Sequence, residues 1–164
     1  MRKIIVIIAL LGSASVLAQT ENYPNKPVRL VVPFPPGGSV DLVGRLVGAK
    51  LAQSLGQQVI IDNRSGASGN IGMELVARAA ADGYTLAINT LPLVTNGFLY
   101  ARVPYDVLND LTPVSLLSTS ASMLTVHSTV PASTVEEFIR YAKSRPGQIN
   151  YASSGVGSPG RLSM

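Results

Sequence analysis

The sequence predicts an α/β fold organised on a parallel sheet, on three observations. Short runs rich in β-branched and aliphatic residues recur at Val28–Val32, Gln58–Asp62 and Tyr84–Ile88, the pattern of strands covered on both faces. Stretches of helical spacing separate them, and glycine-rich turns join strand to helix. Three strands with two intervening helices form a βαβαβ unit, from which right-handed crossovers and parallel pairing follow.

The first strand ends where Pro33, Pro35 and Pro36 remove ladder donors. Gly37-Gly38 then supplies a tight turn in which backbone can approach a ligand without a Cβ in the way. Val40, Val43, Leu46, Val47 and Leu51 recur at helical spacing from Ser39 to Leu55, and Gly56 stops the helix. A strand, a glycine turn and a helix start bring backbone N–H groups to the carboxyl edge of a sheet, where open α/β sheets bind small anions. The spacing alone leaves open that Gly37-Gly38 is an ordinary connection. Asp41 falls at the third helical position, where a carboxylate caps the helix and complements its dipole for about 0.3–1 kcal/mol.

After Gln58–Asp62 comes a glycine-rich loop, Asn63 to Gly72, and then a helix with Met73, Val76, Ala77 and Ala80 on its apolar face. Asp82-Gly83 turns the chain into the third strand. A short helix is expected within Leu91–Tyr100 and a turn at Pro104-Tyr105-Asp106. Pro113–Leu117 and Met123–Val126 read as two further strands, separated by the small residues of Ser118–Ser122, a candidate hinge crossing. Ser133 and Glu136 form a capping-box pattern before a helix carrying Phe138, Ile139 and Ala142, which Pro146-Gly147 ends. Ile149–Ala152 reads as a strand, with Tyr151, like Tyr84, expected in a core. Ser153-Ser154-Gly155-Val156-Gly157-Ser158 then repeats the strand, glycine turn and helix start of the opening stretch. Only four residues follow Gly160, so the chain reads as a fragment.

Composition narrows the function. Residues 1–18 have the form of a signal peptide: basic Arg2-Lys3, an apolar run from Ile4 to Leu11, and a small-residue cleavage site ending at Ala18. The apolar run is too short for a stable membrane anchor, and with no cysteine there is no lipoprotein anchor, disulfide, thiol catalysis or thiolate metal site. One histidine, His127, makes a histidine-based zinc site implausible. Removing Arg2 and Lys3 leaves eleven basic against nine acidic residues, a net charge of +2. The remaining cations are scattered, unlike a nucleic-acid footprint.

Six ordered motifs resemble one family. They are Tyr23–Arg29 (Tyr-Pro-x-Lys-Pro-Val-Arg), Pro33–Asp41 (Pro-Phe-Pro-Pro-Gly-Gly-x-x-Asp), Asn63–Gly72 (Asn-Arg-x-Gly-Ala-x-Gly-Asn-Ile-Gly), Asp82–Leu86, Pro104–Asp106 and Asn150–Gly155. Together, from about Tyr23 to Leu162, they resemble the Bug receptors, extracytoplasmic solute-binding proteins of tripartite tricarboxylate transporters. One local departure is Arg161-Leu162, where the family commonly has His-Leu.

The resemblance implies a two-lobed, hinged, type II periplasmic-binding-protein-like α/β fold. On that plan residues 19–112 belong to a first lobe and 113–164 begin a second, truncated one. It further implies a periplasmic, monomeric receptor without cofactor or catalytic residues, which holds a small organic acid between its lobes and passes it to a membrane permease. The implied ligand-binding residues are Phe34, Pro35, Gly37, Gly38, Ser39 and Asp41 in the first-lobe loop and Ser153, Ser154, Gly155, Gly157 and Ser158 in the second-lobe loop; Thr90, at the end of the third strand, is a further candidate from its place on the carboxyl edge of the sheet. Neither loop holds Lys or Arg before Ser158, so backbone N–H groups, serine hydroxyls and bridging water are expected to grip the acid. Arg64 and His127 are expected at the surface. Asn89 and Thr90 either line the cleft or cap a loop.

With the second lobe unfinished, the isolated chain is expected to bind ligand weakly or not at all. The alternatives are a non-functional fragment of such a receptor or a secreted α/β hydrolase. Ser154 lies in Ser-Ser-Gly, not in the Gly-x-Ser-x-Gly that a hydrolase of that fold needs. A dinucleotide-binding module would need a close Gly-x-Gly pair, which neither Gly37-Gly38 nor Gly66-x-x-Gly69-x-x-Gly72 supplies.

Overall fold

Val28–Val32 (β1) is the centre of a parallel three-stranded sheet in the order β2-β1-β3. The computed structural model describes residues 22–121, 123–153, 157 and 159–162, so the expected signal peptide lies outside the described residues. β2 (Val59–Asn63) pairs with all of β1, Val28 opposite Val59 and Val32 opposite Asn63. β3 (Thr85–Ala87) pairs on the other side, Arg29 opposite Thr85 and Val31 opposite Ala87. Val28, Val31 and Val32 are completely buried. Burying each such side chain contributes on the order of 1.5–3 kcal/mol, which makes β1 the anchor of the molecule.

Helix α1 (Ser39–Leu55) has the predicted span, and Gly56 ends it in a left-handed conformation at φ 65°. Leu30, Val32 and Ile88 form the core under it, with Phe34, Val40, Val43, Val59, Ile61 and Leu86 packed around them. The face differs from expectation at Leu46, which is 62% exposed. The close approach is made by Gly44 and Gly48 instead. A Cβ on Gly44 would stand 3.0 Å from Val32 Cγ2, and one on Gly48 would stand 2.8 Å from Ile61 Cδ1. The missing side chains bring the helix backbone onto the sheet and leave Leu46 facing outward, while Leu51 stays half-buried.

On the opposite face, α2 (Asn70–Ala77) packs across β1 and β3 and buries Met73. Ala80, expected on its apolar face, lies beyond the helix end and is exposed. α3 (Pro92–Leu99) follows β3 and returns to the sheet edge at the start of α2. At the opposite end of the sheet, Tyr23 and Tyr84 meet edge to face at 5.0 Å, and the Tyr84 hydroxyl donates to Asn25 Oδ1 at 2.9 Å. Tyr84 is half-buried, just outside β3, and not in the core expected for it.

Beyond residue 112 the expected strands Pro113–Leu117, Met123–Val126 and Ile149–Ala152 do not form among the described residues. Their apolar side chains stand in solvent, with Val114 85% and Met123 87% exposed, and Tyr151 is 52% exposed where a core position was expected. An extended segment becomes a strand only when a neighbour takes its N–H and C=O groups, and among the described residues none pairs with these segments. Helix α4 (Val135–Lys143) forms with its capping box one residue later than predicted. Thr134, not Ser133, caps it: the Thr134 hydroxyl accepts from the Glu137 N–H at 3.2 Å, and Glu137 Oε2 accepts from the Ser133 and Thr134 N–H groups. A final turn, α5 (Pro159–Leu162), begins where a helix start was expected.

Gly72, in the first turn of α2, is the tightest of these contacts against backbone. A Cβ there would lie 2.8 Å from Pro33 Cβ and 2.9 Å from the Arg64 carbonyl oxygen. Gly72→Ala gains helix propensity worth about 1 kcal/mol, but overpacking against a carbonyl that cannot turn away costs more, about 2–3 kcal/mol. Denaturant unfolding of this variant should show a net loss of stability of roughly 1–2 kcal/mol. Unchanged or raised stability would mean that α2 has room to move from the end of β1.

Candidate functional site

All three strands end on one edge, so Pro33–Phe34, Arg64–Gly69 and Ile88–Thr90 emerge side by side. Pro33 is buried and Phe34 half-buried, whereas Pro35 to Ser39 are exposed. Gly37 takes φ +84°, a left-handed conformation that glycine adopts without strain. Gly38 caps α1 through its backbone alone: no side chain caps this helix, and its carbonyl accepts the first helical bond from the Leu42 N–H at 3.0 Å. The N–H groups of Ser39, Val40 and Asp41 therefore precede the helical ladder, which gives this end of α1 its partial positive charge.

One carboxylate holds the turn in this shape. Asp41 is 3% exposed. Its Oδ2 accepts from the Gly37 N–H at 2.9 Å and from Arg45 Nε at 2.9 Å, and its Oδ1 accepts from Asn63 Nδ2 at 2.9 Å. Asn63 Nδ2 also donates to the Phe34 carbonyl at 3.2 Å, and Asn63 Oδ1 accepts from an Arg45 guanidinium nitrogen at 3.3 Å. The first turn is thus tied to the end of β2 and to the second turn of α1. The Arg45 hydrogen bond, then the Gly37 N–H and the Asn63 amide, hold the Asp41 carboxyl well below the usual carboxylate range against the opposing effect of burial. Because Arg45 balances the charge of Asp41, the free N–H groups at the helix start are not neutralised by it.

Thr90 is exposed beyond β3; its N–H donates to Asn89 Oδ1 at 2.7 Å, and its carbonyl accepts from the Leu93 N–H at 3.0 Å. The glycine-rich loop lies between the first turn and α3. Gly69, at φ +95°, is buried against Pro33 and Phe34. On the other side of that loop, Asn96 Nδ2 donates to the Ser68 carbonyl at 3.0 Å and to Asn70 Oδ1 at 2.8 Å. Asn70 Oδ1 also accepts from the Tyr105 hydroxyl at 2.8 Å, and the Tyr100 hydroxyl donates to Ser68 Oγ at 2.9 Å. Burial raises the Tyr105 pKa, with a nearby Asn96 hydrogen bond opposing it, so the phenol stays a donor.

Asn70, Asn96 and Tyr105 were not singled out in the sequence. An asparagine set in the largely apolar run Leu91–Leu99, as at Asn96, was the available signal.

Of the second turn, Ser153 is exposed and Gly157 is buried against α3, while Ser154, Gly155 and Ser158 lie outside the described residues. A Cβ on Gly157 would stand 2.6 Å from Asn96 Oδ1. Arg64 is at the surface as expected. Its Nε donates to Asp62 at 2.9 Å, and Arg29 donates to the same carboxylate. Burial opposes ionisation of Asp62, but the two guanidiniums outweigh it and lower its pKa. His127 is exposed, its ring nitrogen beside the Thr129 hydroxyl. Among the described residues no cluster of His, Asp and Glu is arranged to hold a metal, and no helix is long and apolar enough to cross a membrane. A groove of about 610 Å³ lies elsewhere, along the apolar side of α4 between Leu124, Phe138, Ile139 and Tyr151.

Comparison with known proteins adds to this geometry. Residues 43–164 match the sequence profile of the family described as TctC, tripartite tricarboxylate transporter family receptor. The chain is 41% identical over 153 residues to the UPF0065 protein in the tcbD-tcbE intergenic region of Pseudomonas sp. (strain P51), covering 93% of this chain and 46% of that one. It is 38% identical over 159 residues to Protein BugT of Bordetella pertussis, covering 96% and 48%. The chain therefore spans about half the length of the curated relatives it matches. Among solved structures, Rpa4515 of R. palustris with adipate superposes with a TM-score of 0.78 at 42% identity, over 83% of this chain and 46% of that one. MatC of Rhodopseudomonas palustris with bound malate superposes at 0.64 with 35% identity, over 74% and 42%.

The Asp41 contacts have a defined pH dependence. A carboxyl whose pKa is lowered by folding stabilises the native state fully above its unfolded value of about 3.9, and that contribution is lost as pH falls through the lowered native value. Asp41→Asn should therefore flatten the fall in stability below pH of about 4. It should not abolish that fall, since Asp62, Asp82 and Asp106 are also lowered. Denaturant midpoints measured across the acid range would test this. Parallel curves for the two proteins would show that Asp41 titrates without consequence.

Proposed function

Because the chain belongs to the tripartite tricarboxylate transporter receptor family, a family of solute-binding receptors and not of enzymes, we propose that it captures a small dicarboxylate at the carboxyl edge of its sheet for delivery to a transporter permease. The observation that carries this reading is the first turn, exposed and glycine-built, with uncapped N–H groups at the start of α1 and no competing free carboxylate. Such a surface favours a carboxylate through oriented dipoles without a fixed cationic clamp, so it tolerates acids of different length. Adipate and malate, bound by two structural relatives, share that chemistry and differ in chain length.

In this reading residues 19–112 form the first lobe and 113–164 begin the second. Phe34, Pro35, Gly37, Gly38 and Ser39 face the ligand, with Asp41 holding their turn and Thr90 beside them on the same edge. Ser153, Ser154, Gly155, Gly157 and Ser158 border the cleft from the second lobe. A ligand touching both turns binds the closed arrangement better and so shifts the population toward it. An exported, periplasmic receptor released by cleavage near Ala18 would meet its permease at the membrane surface.

Amide NMR shifts of the purified chain during titration with adipate, malate and hexane-1,6-diol test the proposal. The two acids should shift the N–H signals of Gly38, Ser39 and Val40 with weak affinity, on the order of millimolar, about 4 kcal/mol of binding, and the diol should not. Equal shifts with acid and diol, or acid shifts confined to residues along α4, would contradict it.

A further inference from the structure

The contacts around Asn96 form an uninterrupted path from the first turn to Gly157. Phe34 and Pro33 pack on Gly69. The residues on either side of Gly69 are both held by the Asn96 amide, through the Ser68 carbonyl at 3.0 Å and Asn70 Oδ1 at 2.8 Å. The far side of the same amide faces Gly157, with no space between for even one added carbon. Asn96 is 1% exposed, and its Oδ1 has no hydrogen-bond partner among the described residues. Both protons of its NH2 group are engaged, so neither rotation nor exchange of the amide ends would satisfy the oxygen without breaking a bond that holds the loop. A buried carbonyl left unpaired carries a stability penalty, and native structures keep few of them.

We propose that Asn96 is a positioning residue that couples the first turn to Gly157. Its NH2 group fixes the Ser68–Asn70 loop behind the first turn, and its unpaired oxygen, set directly against Gly157, makes that loop sensitive to where Gly157 sits on α3. A displacement at Gly157 is then transmitted to the first turn through one rigid amide. The proposal rests on the reading of the first turn as the ligand site, but its test does not require ligand.

Hydrogen exchange at the Ser68–Gly72 amides, measured in a double-mutant cycle, is that test. Gly157→Ala drives a methyl group into Asn96 Oδ1 and should speed exchange across this loop about tenfold, the size of a contact-level coupling. In an Asn96→Ala background the methyl group meets no oxygen, and adding Gly157→Ala should change exchange by less than about twofold. A general loss of stability would grow with the second substitution and not disappear. If Asn96→Ala does not fold, Gly157→Ala is compared with Gly160→Ala, whose added carbon meets nothing within 4 Å; only the former should act on the loop. Unchanged exchange in Gly157→Ala, an equal effect in both backgrounds, or an equal effect from Gly160→Ala would overturn the coupling. Failure of adipate to shift any amide of the parent chain would instead count against the receptor reading and leave the coupling standing.

Discussion

The buried carboxylate of Asp41 joins three pieces of chain that local propensity would leave independent. Proline and glycine make the segment after β1 bend, but they do not choose one bend. The Gly37 N–H and Arg45 guanidinium on Oδ2, with the Asn63 amide on Oδ1, close the turn onto β2 and α1 together. A single acidic residue there has a double effect. It satisfies a backbone donor inside the turn, and its own charge is balanced by Arg45. The helix start beyond it therefore keeps its positive end available to an anion. Without a balancing guanidinium, the same carboxylate would repel the acid that the turn is proposed to hold.

Close backbone approach is the second constraint. Gly44 and Gly48 let α1 lie on Val32 and Ile61, Gly72 seats α2 on Pro33, and Gly69 presses the following loop onto Phe34. Each contact substitutes main chain for side chain. The result is a sheet edge whose three loops are fixed relative to one another over short distances, with Asn96 continuing the same packing toward Gly157. Rigid placement matters for a binding surface made largely of N–H dipoles, because such a surface gains affinity from donors already aimed at the ligand.

The sequence was most legible where a local rule decides the outcome. Val28–Val32, the span of α1 and the Gly56 stop follow from hydrophobic runs, spacing and a left-handed glycine, and all three stand in the structure. The family was legible from six ordered motifs, and the profile match over residues 43–164 agrees. Legibility failed where a partner distant in the chain decides. Leu46 has the right spacing for a core face, yet counting apolar residues cannot register that two glycines bring the helix closer. Pro113–Leu117 and Met123–Val126 have strand composition, but composition does not supply the neighbour that would pair with them. Asn70, Asn96 and Tyr105 are separated by up to 35 residues, and nothing local to any of them announces a shared buried network. Thr134 displaced Ser133 as a cap because adjacent hydroxyls fit the same pattern, and only the helix start decides between them.

A crystal structure of the chain grown with adipate addresses the central claim most directly, because it reports where a carboxylate rests. The account predicts a carboxylate oxygen within hydrogen-bond distance of the N–H groups at the start of α1, with the Asp41, Arg45 and Asn63 contacts unchanged. Adipate seated instead along α4, with the first turn empty, would contradict it.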